Sequence, residues 1–203
     1  MTRGLAVILT GASSVGKSNI RERLLKDPDL DLFYSTSVTT RPKRPDEVDG
    51  KDYYFITFKE FAESVKKHEL LEYTEFNGWY YGTPKAQVEF LLEKGKNVLL
   101  EVEAQGVGPL KLNLPDALAV FVMPKSYEDL AAQVEKTYGD DEASAKRRLN
   151  KAKMEMELAP LFKHVVTNED PDRAAAEIKK AILEELKKRK DASDQEETEV
   201  PEI

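Results

Sequence analysis

The first apolar run, "LAVILT" at 5–10, has no charged interruption before the glycine that follows it, the pattern of a strand covered on both faces. Past a short loop, Ile20, Leu24 and Leu25 recur at helical spacing until "KDPDLD" (26–31), whose proline disfavours helix at the residue before it. Three more buried-strand patterns follow: "KNVLLEVEAQG" (96–106), "DALAVFVMP" (116–124) and the short "KHVVTNED" (163–170). Helical spacing fills 84–94, 126–136, 141–158 and 171–190. The first of these reads as capped by Thr83 with Pro84 as its first residue and Gly95 just past its end. The last carries Ile178, Ile182 and Leu186 on one face and begins at Asp170-Pro171. Strands alternating with helices predict an α/β fold with a parallel sheet.

Residues 34–83 break that rhythm. "YSTSVTTR", "KDYYFIT" and "LLEYTEFNGWYYGT" are rich in Tyr, Phe and Thr with partial alternation, around a helix at 58–68 whose Thr57 and Glu60 have capping-box spacing. The pattern predicts a small antiparallel or mixed lobe inserted in the α/β core.

Composition fits this organisation. At 203 residues with 40% hydrophobic content, the chain suits one domain with sub-lobes. It has no cysteine, so neither disulfides nor thiolate metal sites enter the reading, and the N-terminal apolar run is too short for a signal or a membrane span. A cytoplasmic location is expected. The net charge of -7 is unevenly placed: "DASDQEETEVPEI" (191–203) holds six of the 38 acids and no base, leaving 32 acids against 31 bases elsewhere. A nearly neutral body has no basic stripe for nucleic acid. The acidic end reads as a disordered, solvated tail.

Between the first strand and the first helix stands "GASSVGKS" (11–18), which satisfies G-x-x-x-x-G-K-[ST] through Gly11, Gly16, Lys17 and Ser18. In that context the amides of a loop running from Gly11 through Ala12, Ser13, Ser14 and Val15 converge on phosphate oxygens, and the helix N-terminus adds partial positive charge. Lys17 would meet the β- and γ-phosphates of a nucleotide, and Ser18 would ligate Mg2+.

"STSVTTRPKRPDEVDGKDYY" (35–54) places Arg41, Arg44 and Tyr53 together, and two planar guanidinium forks beside a tyrosine suit a phosphate dianion. By charge alone, a solvated turn is an equal reading. With the phosphate loop, the runs "SVTTRPKRPDEVDGKDYYF" (37–55), "LLEYTEFNGWYYGTP" (70–84), "LLEVEAQG" (99–106) and "VVTNED" (165–170) make residues 4–188 resemble the guanylate kinases in order and spacing.

The resemblance implies a P-loop nucleoside-monophosphate-kinase fold, with a core over 1–34, 84–125 and 159–190. It also implies a GMP-binding lobe at 35–83 and a helical lid at 126–158. It implies transfer of the γ-phosphate of ATP to GMP or dGMP with Mg2+, a step of purine nucleotide metabolism. Residue by residue, it implies that Arg41, Arg44, Tyr53 and Tyr81 hold the GMP phosphate while Ser37, Glu72, Thr83 and Glu103 read the guanine. Guanine offers donors at N1 and its 2-amino group, which carboxylates accept, and an acceptor at O6, which a hydroxyl serves. Gly11–Asn19 and Asn168 fall on the ATP side, and Glu101 could reach the metal through water. Lys17, Arg41, Arg44 and Arg148 are the expected sources of charge for phosphoryl transfer. Nucleotides are the expected partners, with neither nucleic acid nor membrane.

The lid departs from the family. Where members carry R-L-x-G-R-G and then a basic pair, this chain reads "QVEKTYGDDEASAKRRL" (133–149). Gln133 and Thr137 replace two arginines, Lys136 and Tyr138 replace two glycines, and Arg147 and Arg148 remain. Ser14 stands where a glycine is usual, and Asn19 where threonine or another small residue is. Two further readings stay open on this basis. One is a module of the same fold that binds GMP or a phosphorylated peptide with little or no catalysis; the other is a kinase with a different purine monophosphate as acceptor.

Overall fold

The computed structural model describes residues 2–198. Strand β1 (Ala6–Gly11) leads through the loop into α1 (Lys17–Lys26) and β2 (Leu32–Tyr34). The inserted lobe follows as β3 (Val38–Thr39), β4 (Tyr54–Phe55), α2 (Phe58–Lys66), β5 (Leu70–Phe76) and β6 (Trp79–Pro84). The core resumes with α3 (Lys85–Glu93), β7 (Asn97–Glu101), α4 (Val107–Asn113) and β8 (Leu118–Pro124). Helices α5 (Tyr127–Tyr138) and α6 (Glu142–Met156) come next, then β9 (His164–Asn168) and α7 (Pro171–Thr198).

The main sheet is parallel, in the order β2-β7-β1-β8-β9. Every residue of β1 is buried because helices cover both faces. Val7 and Leu9 point into the core shared with α1, α5 and α7 through Ile20, Leu24, Leu130 and Ile178. Ala6 and Ile8 point the other way, toward Val88, Leu92 and Leu110 on α3 and α4. A fully buried Leu or Ile contributes about 2 kcal/mol, so apolar contacts on both faces anchor the central strand. In a sheet of this kind the carboxyl ends of the strands open onto one crevice, where ligands bind.

The lobe has its own sheet, β4-β3-β6-β5, mixed rather than purely antiparallel because β3 and β4 run parallel. Asn77 and Gly78, at φ 55° and 80°, make the tight turn between β5 and β6. The capping box at Thr57 and Glu60 is present.

Three sequence expectations change. Pro84 is the N-cap of α3 and makes no side-chain cap bond, whereas Thr83 lies within β6, buried and engaged elsewhere. The pattern at 96–106 gives a strand only to Glu101, followed by a 3-10 turn at Ala104–Gly106 and then α4, whose Gly108 and Pro109 conceal it in the sequence. Residues 191–198, expected as disordered tail, continue α7 to Thr198; residues 199–203 lie outside the described residues. Extending an existing helix adds one hydrogen bond per residue fixed, and Ala192, Gln195, Glu196 and Glu197 are good helix formers, so acidity alone does not end it. Among the described residues no helix is long and apolar enough to cross a membrane.

Candidate active site

The loop at 11–16 turns sharply off β1. A Cβ on Gly11 would lie 2.2 Å from the Val122 carbonyl oxygen, so the close approach to β8 requires glycine there. Ser14 adopts φ 64°, in the left-handed region, with its hydroxyl buried and unpartnered. Lys17 folds back so that Nζ donates to the Gly11 and Ala12 carbonyls at 2.9 and 3.0 Å. Asn168, at the end of β9, donates from Nδ2 to the Val15 carbonyl at 2.7 Å and leaves Oδ1 buried without a partner. It borders a cleft of about 290 Å3 with Val15, Pro124 and Gln133.

Two further clefts meet at the loop. One, of about 270 Å3, runs beside Ser14–Asn19 and Gln133 and Thr137 of α5. The other, of about 370 Å3, extends under the lobe. Both are bordered by Lys17, Ser18, Glu101 and Tyr138, so the boundary between them is where a group would pass from one side to the other.

The lobe-side cleft collects most of the residues singled out in the sequence: Ser37, Arg41, Arg44, Tyr53, Glu72, Tyr81, Glu103 and Arg148. Arg41 is clamped by Glu47, with Nη2–Oε1 at 2.6 Å and Nη1–Oε2 at 3.0 Å, and lies over the Tyr53 ring. Those bonds hold the Glu47 carboxyl below its ordinary range. Tyr53 packs edge-on against Tyr81, and burial pushes its phenol up to about 12, so it stays a hydrogen-bond donor.

Thr83 does not reach the cleft wall. It lies behind Glu72 and donates its hydroxyl hydrogen to Oε1 at 2.6 Å. Burial raises Glu72 to about 7, opposed by that hydrogen bond and reinforced by the nearby charge of Glu103. Gly106 lets the other carboxylate oxygen approach, since a Cβ there would lie 2.7 Å from Oε2. Burial also works against the charge of Glu103, but the Lys151 ammonium outweighs it and holds that carboxyl below its usual range.

The family model for guanylate kinase matches residues 3–185. The chain belongs to the guanylate kinase family. A guanylate kinase of Mycoplasma mycoides is 40% identical over 178 residues, covering 88% of this chain and 60% of its own length. One from Streptococcus pyogenes is 39% identical over 180 residues, covering 89% of this chain and 85% of its own. The chain thus spans less than two thirds of the Mycoplasma relative. The crystal structure of guanylate kinase from Anaplasma phagocytophilum superposes with a TM-score of 0.74 at 27% identity, covering 91% of this chain and 87% of that one.

Helices α5 and α6 pack together as a hairpin next to the loop-side cleft. Gln133 and Thr137 face the loop-side cleft, and the Thr137 hydroxyl is turned inward onto the Gln133 carbonyl at 2.9 Å. Lys136 and Arg147 border none of the three clefts around the loop and the lobe, so neither replaces the missing guanidinium groups. Arg148 does border the lobe-side cleft, with its guanidinium 4.0 Å from the centroid of the Tyr138 ring and Nε buried without a partner.

Sequence reasoning missed several residues that line the lobe-side cleft or pair with those that do. Arg21 donates from Nη1 to Tyr34 Oη at 3.1 Å and to Glu101 Oε2 at 2.9 Å. Its position four residues after Lys17 on α1 was the available signal. Lys151 and Glu155 lie three and seven residues after Arg148 on α6, the same helical face. Glu155 accepts from the Ser13 amide at 2.7 Å, and burial followed by the charge of Glu103 pushes its pKa up. Glu47 had no periodic signal at all.

Ser18 and Glu101 bring a hydroxyl and a carboxylate oxygen to the border of both clefts, a donor set that suits Mg2+. Among the described residues no group of three or more His, Cys, Asp or Glu could hold a metal alone. Such a site fits an ion that takes most of its ligands from phosphate and water.

Proposed function

We propose that the protein transfers the γ-phosphate of ATP to GMP or dGMP, giving ADP and the diphosphate. The observation carrying this reading is the junction of two clefts at Lys17, Ser18 and Glu101, one beside the phosphate loop and the other under a lobe lined by guanidinium, phenol and carboxylate groups. ATP belongs beside the loop, with its phosphates on the amides of 11–18 and its base toward Asn168. GMP belongs under the lobe, its phosphate on Arg41, Arg44, Tyr53 and Tyr81.

Glu72 and Glu103 accept from guanine N1 and the 2-amino group, Ser37 supplies a hydroxyl, and Thr83 acts through Glu72. Adenine would leave both carboxylates facing an acceptor or nothing, and a site with stranded polar groups rejects the wrong base strongly. The domain division follows the same reading: core, lobe at 35–83 and lid at 126–158.

The acceptor phosphate is already an anion, so the protein contributes alignment and positive charge rather than a general base. Lys17 at the junction and Arg148 in the lobe-side cleft supply that charge, and Arg41 and Arg44 hold the acceptor. Mg2+, when bound at Ser18 with Glu101 behind a water, neutralises charge on the phosphates.

A coupled assay for ADP tests the reading. GMP-dependent turnover, lost with EDTA and in Lys17→Ala, is expected; no GMP-dependent signal above that variant would leave only nucleotide binding. Comparing GMP, dGMP, IMP and AMP tests the base-reading roles, and AMP preferred over GMP would overturn them.

A further inference from the structure

Lys151 projects from α6 into the seam where three parts of the molecule meet. Its ammonium is ion-paired with Oε2 of Glu103, just beyond β7 of the core. It also lies 3.5 Å from the ring centroid of Phe76, at the end of β5 in the lobe. On its own helix it stands 4.0 Å from Oε1 of Glu155, the residue that accepts from the Ser13 amide of the phosphate loop. Its side chain is only 17% exposed. An exposed ion pair is worth little, but a cation held against an aromatic face and a half-enclosed carboxylate is largely desolvated and directional.

The chemistry of Glu103 gives this contact a use. Guanine offers only donors along N1 and its 2-amino group, so Glu103 serves it by aiming a carboxylate oxygen into the cleft it borders. An ammonium on Oε2 fixes the orientation of the carboxylate and so which oxygen faces the cleft. That ammonium is in place only when α6 packs against core and lobe.

We propose that Lys151 is the positioning residue through which lid closure sets guanine recognition: on α6 it aims Glu103, and α6 reaches the phosphate loop through Glu155. The proposal rests on the reading of Glu103 as a guanine acceptor. It makes the two nucleotide sites reciprocal, because whatever draws α6 down over the loop improves the acceptor for guanine, and a bound guanine holds α6 in return.

Steady-state kinetics of Lys151→Met, Glu103→Gln and the double variant test this, with Lys151→Arg as the conservative control and thermal melts to verify folding. Lys151→Met is expected to raise the KM for GMP about tenfold, in the range of typical coupling between sites, with kcat and the KM for ATP within about threefold. Lys151→Arg is expected to restore most of the GMP affinity. In the Glu103→Gln background, Lys151→Met is expected to add less than about twofold, the mark of a shared pathway.

Equal factors with and without Glu103→Gln would overturn the proposal, as would a lower melting temperature with an unmoved KM for GMP, which marks a merely structural contact. A KM raised by Glu103→Gln but not by Lys151→Met would remove the role of Lys151 and leave base reading intact. An unmoved KM in Glu103→Gln would remove both.

Discussion

Thr83 donates its hydroxyl hydrogen to Oε1 of Glu72 at 2.6 Å, and neither residue is more than 6% exposed. The threonine therefore acts on the carboxylate and not on the cleft. Thr83→Val keeps the shape and removes the donor that lowers the Glu72 pKa, so that pKa rises further above about 7. The KM for GMP is expected to increase several-fold at pH 7 and to approach the parent value near pH 8.5. A pH series of KM for GMP in both proteins checks this; parallel profiles would show that the bond does not tune recognition.

Stability should fall with rising pH across the same range. Glu72 binds its proton more tightly folded, with a pKa of about 7 against an ordinary 4.5, and Glu155 shifts in the same direction. A raised carboxyl pKa contributes stability below the unfolded value that is lost as pH climbs through the folded one. The unliganded protein is expected to melt at a lower temperature at pH 8 than at pH 5.5, with Glu72→Gln reducing the difference. Below about pH 4 the sign reverses, because the Glu47 and Glu103 carboxyls, held low by Arg41 and by Lys151 against burial, become protonated. Calorimetric melts across pH are the measurement.

Ser14 holds φ 64° with no hydrogen bond to its buried hydroxyl in return. Glycine there removes the left-handed penalty and is expected to stabilise the fold by about 1 kcal/mol, raising the melting temperature by about 2–4 °C for a chain of this size. An unchanged or lower melting temperature would mean that the loop relaxes around serine without strain.

The hairpin of α5 and α6 brings one arginine, Arg148, to the lobe-side cleft. Arg148→Ala is expected to lower kcat by about 10³, with a smaller change in either KM, because an arginine on the transferring group acts mainly in the transition state. Thr137→Arg adds a guanidinium beside the loop-side cleft and is expected to raise kcat. A kcat in Arg148→Ala within about threefold of the parent would shift the role to Lys17 and its loop.

The α/β core was legible because its signals are local: unbroken apolar runs such as 5–10, helical spacing through Ile178 and Ile182, and a phosphate loop with fixed spacing. The capping box at Thr57 and Glu60 was legible for the same reason. Helix α4 was hidden because Gly108 and Pro109 oppose it locally while Val107 and Leu110 bury it from outside. Thr83 misled because a threonine before a proline reads as a cap, and only tertiary contact with Glu72 gives it another partner. The residues brought together in the lobe-side cleft were found mostly through resemblance. Arg21 and Lys151 owe their places to partners 80 and 48 positions away, which no window of sequence displays, and Glu47 pairs with Arg41 six positions away across an irregular loop that has no period to read.

The lobe carries a small aromatic core of its own: Phe58 stacks on Trp79 at 5.7 Å, and Phe61 packs against Tyr73 and Tyr80. Trp79 is the single tryptophan of the chain. The one strong intrinsic fluorophore thus sits in the lobe and away from the hairpin of α5 and α6. Its emission reports the surroundings of the lobe alone, so under the proposed reading it is an optical channel for acceptor binding to which α5 and α6 contribute no indole signal.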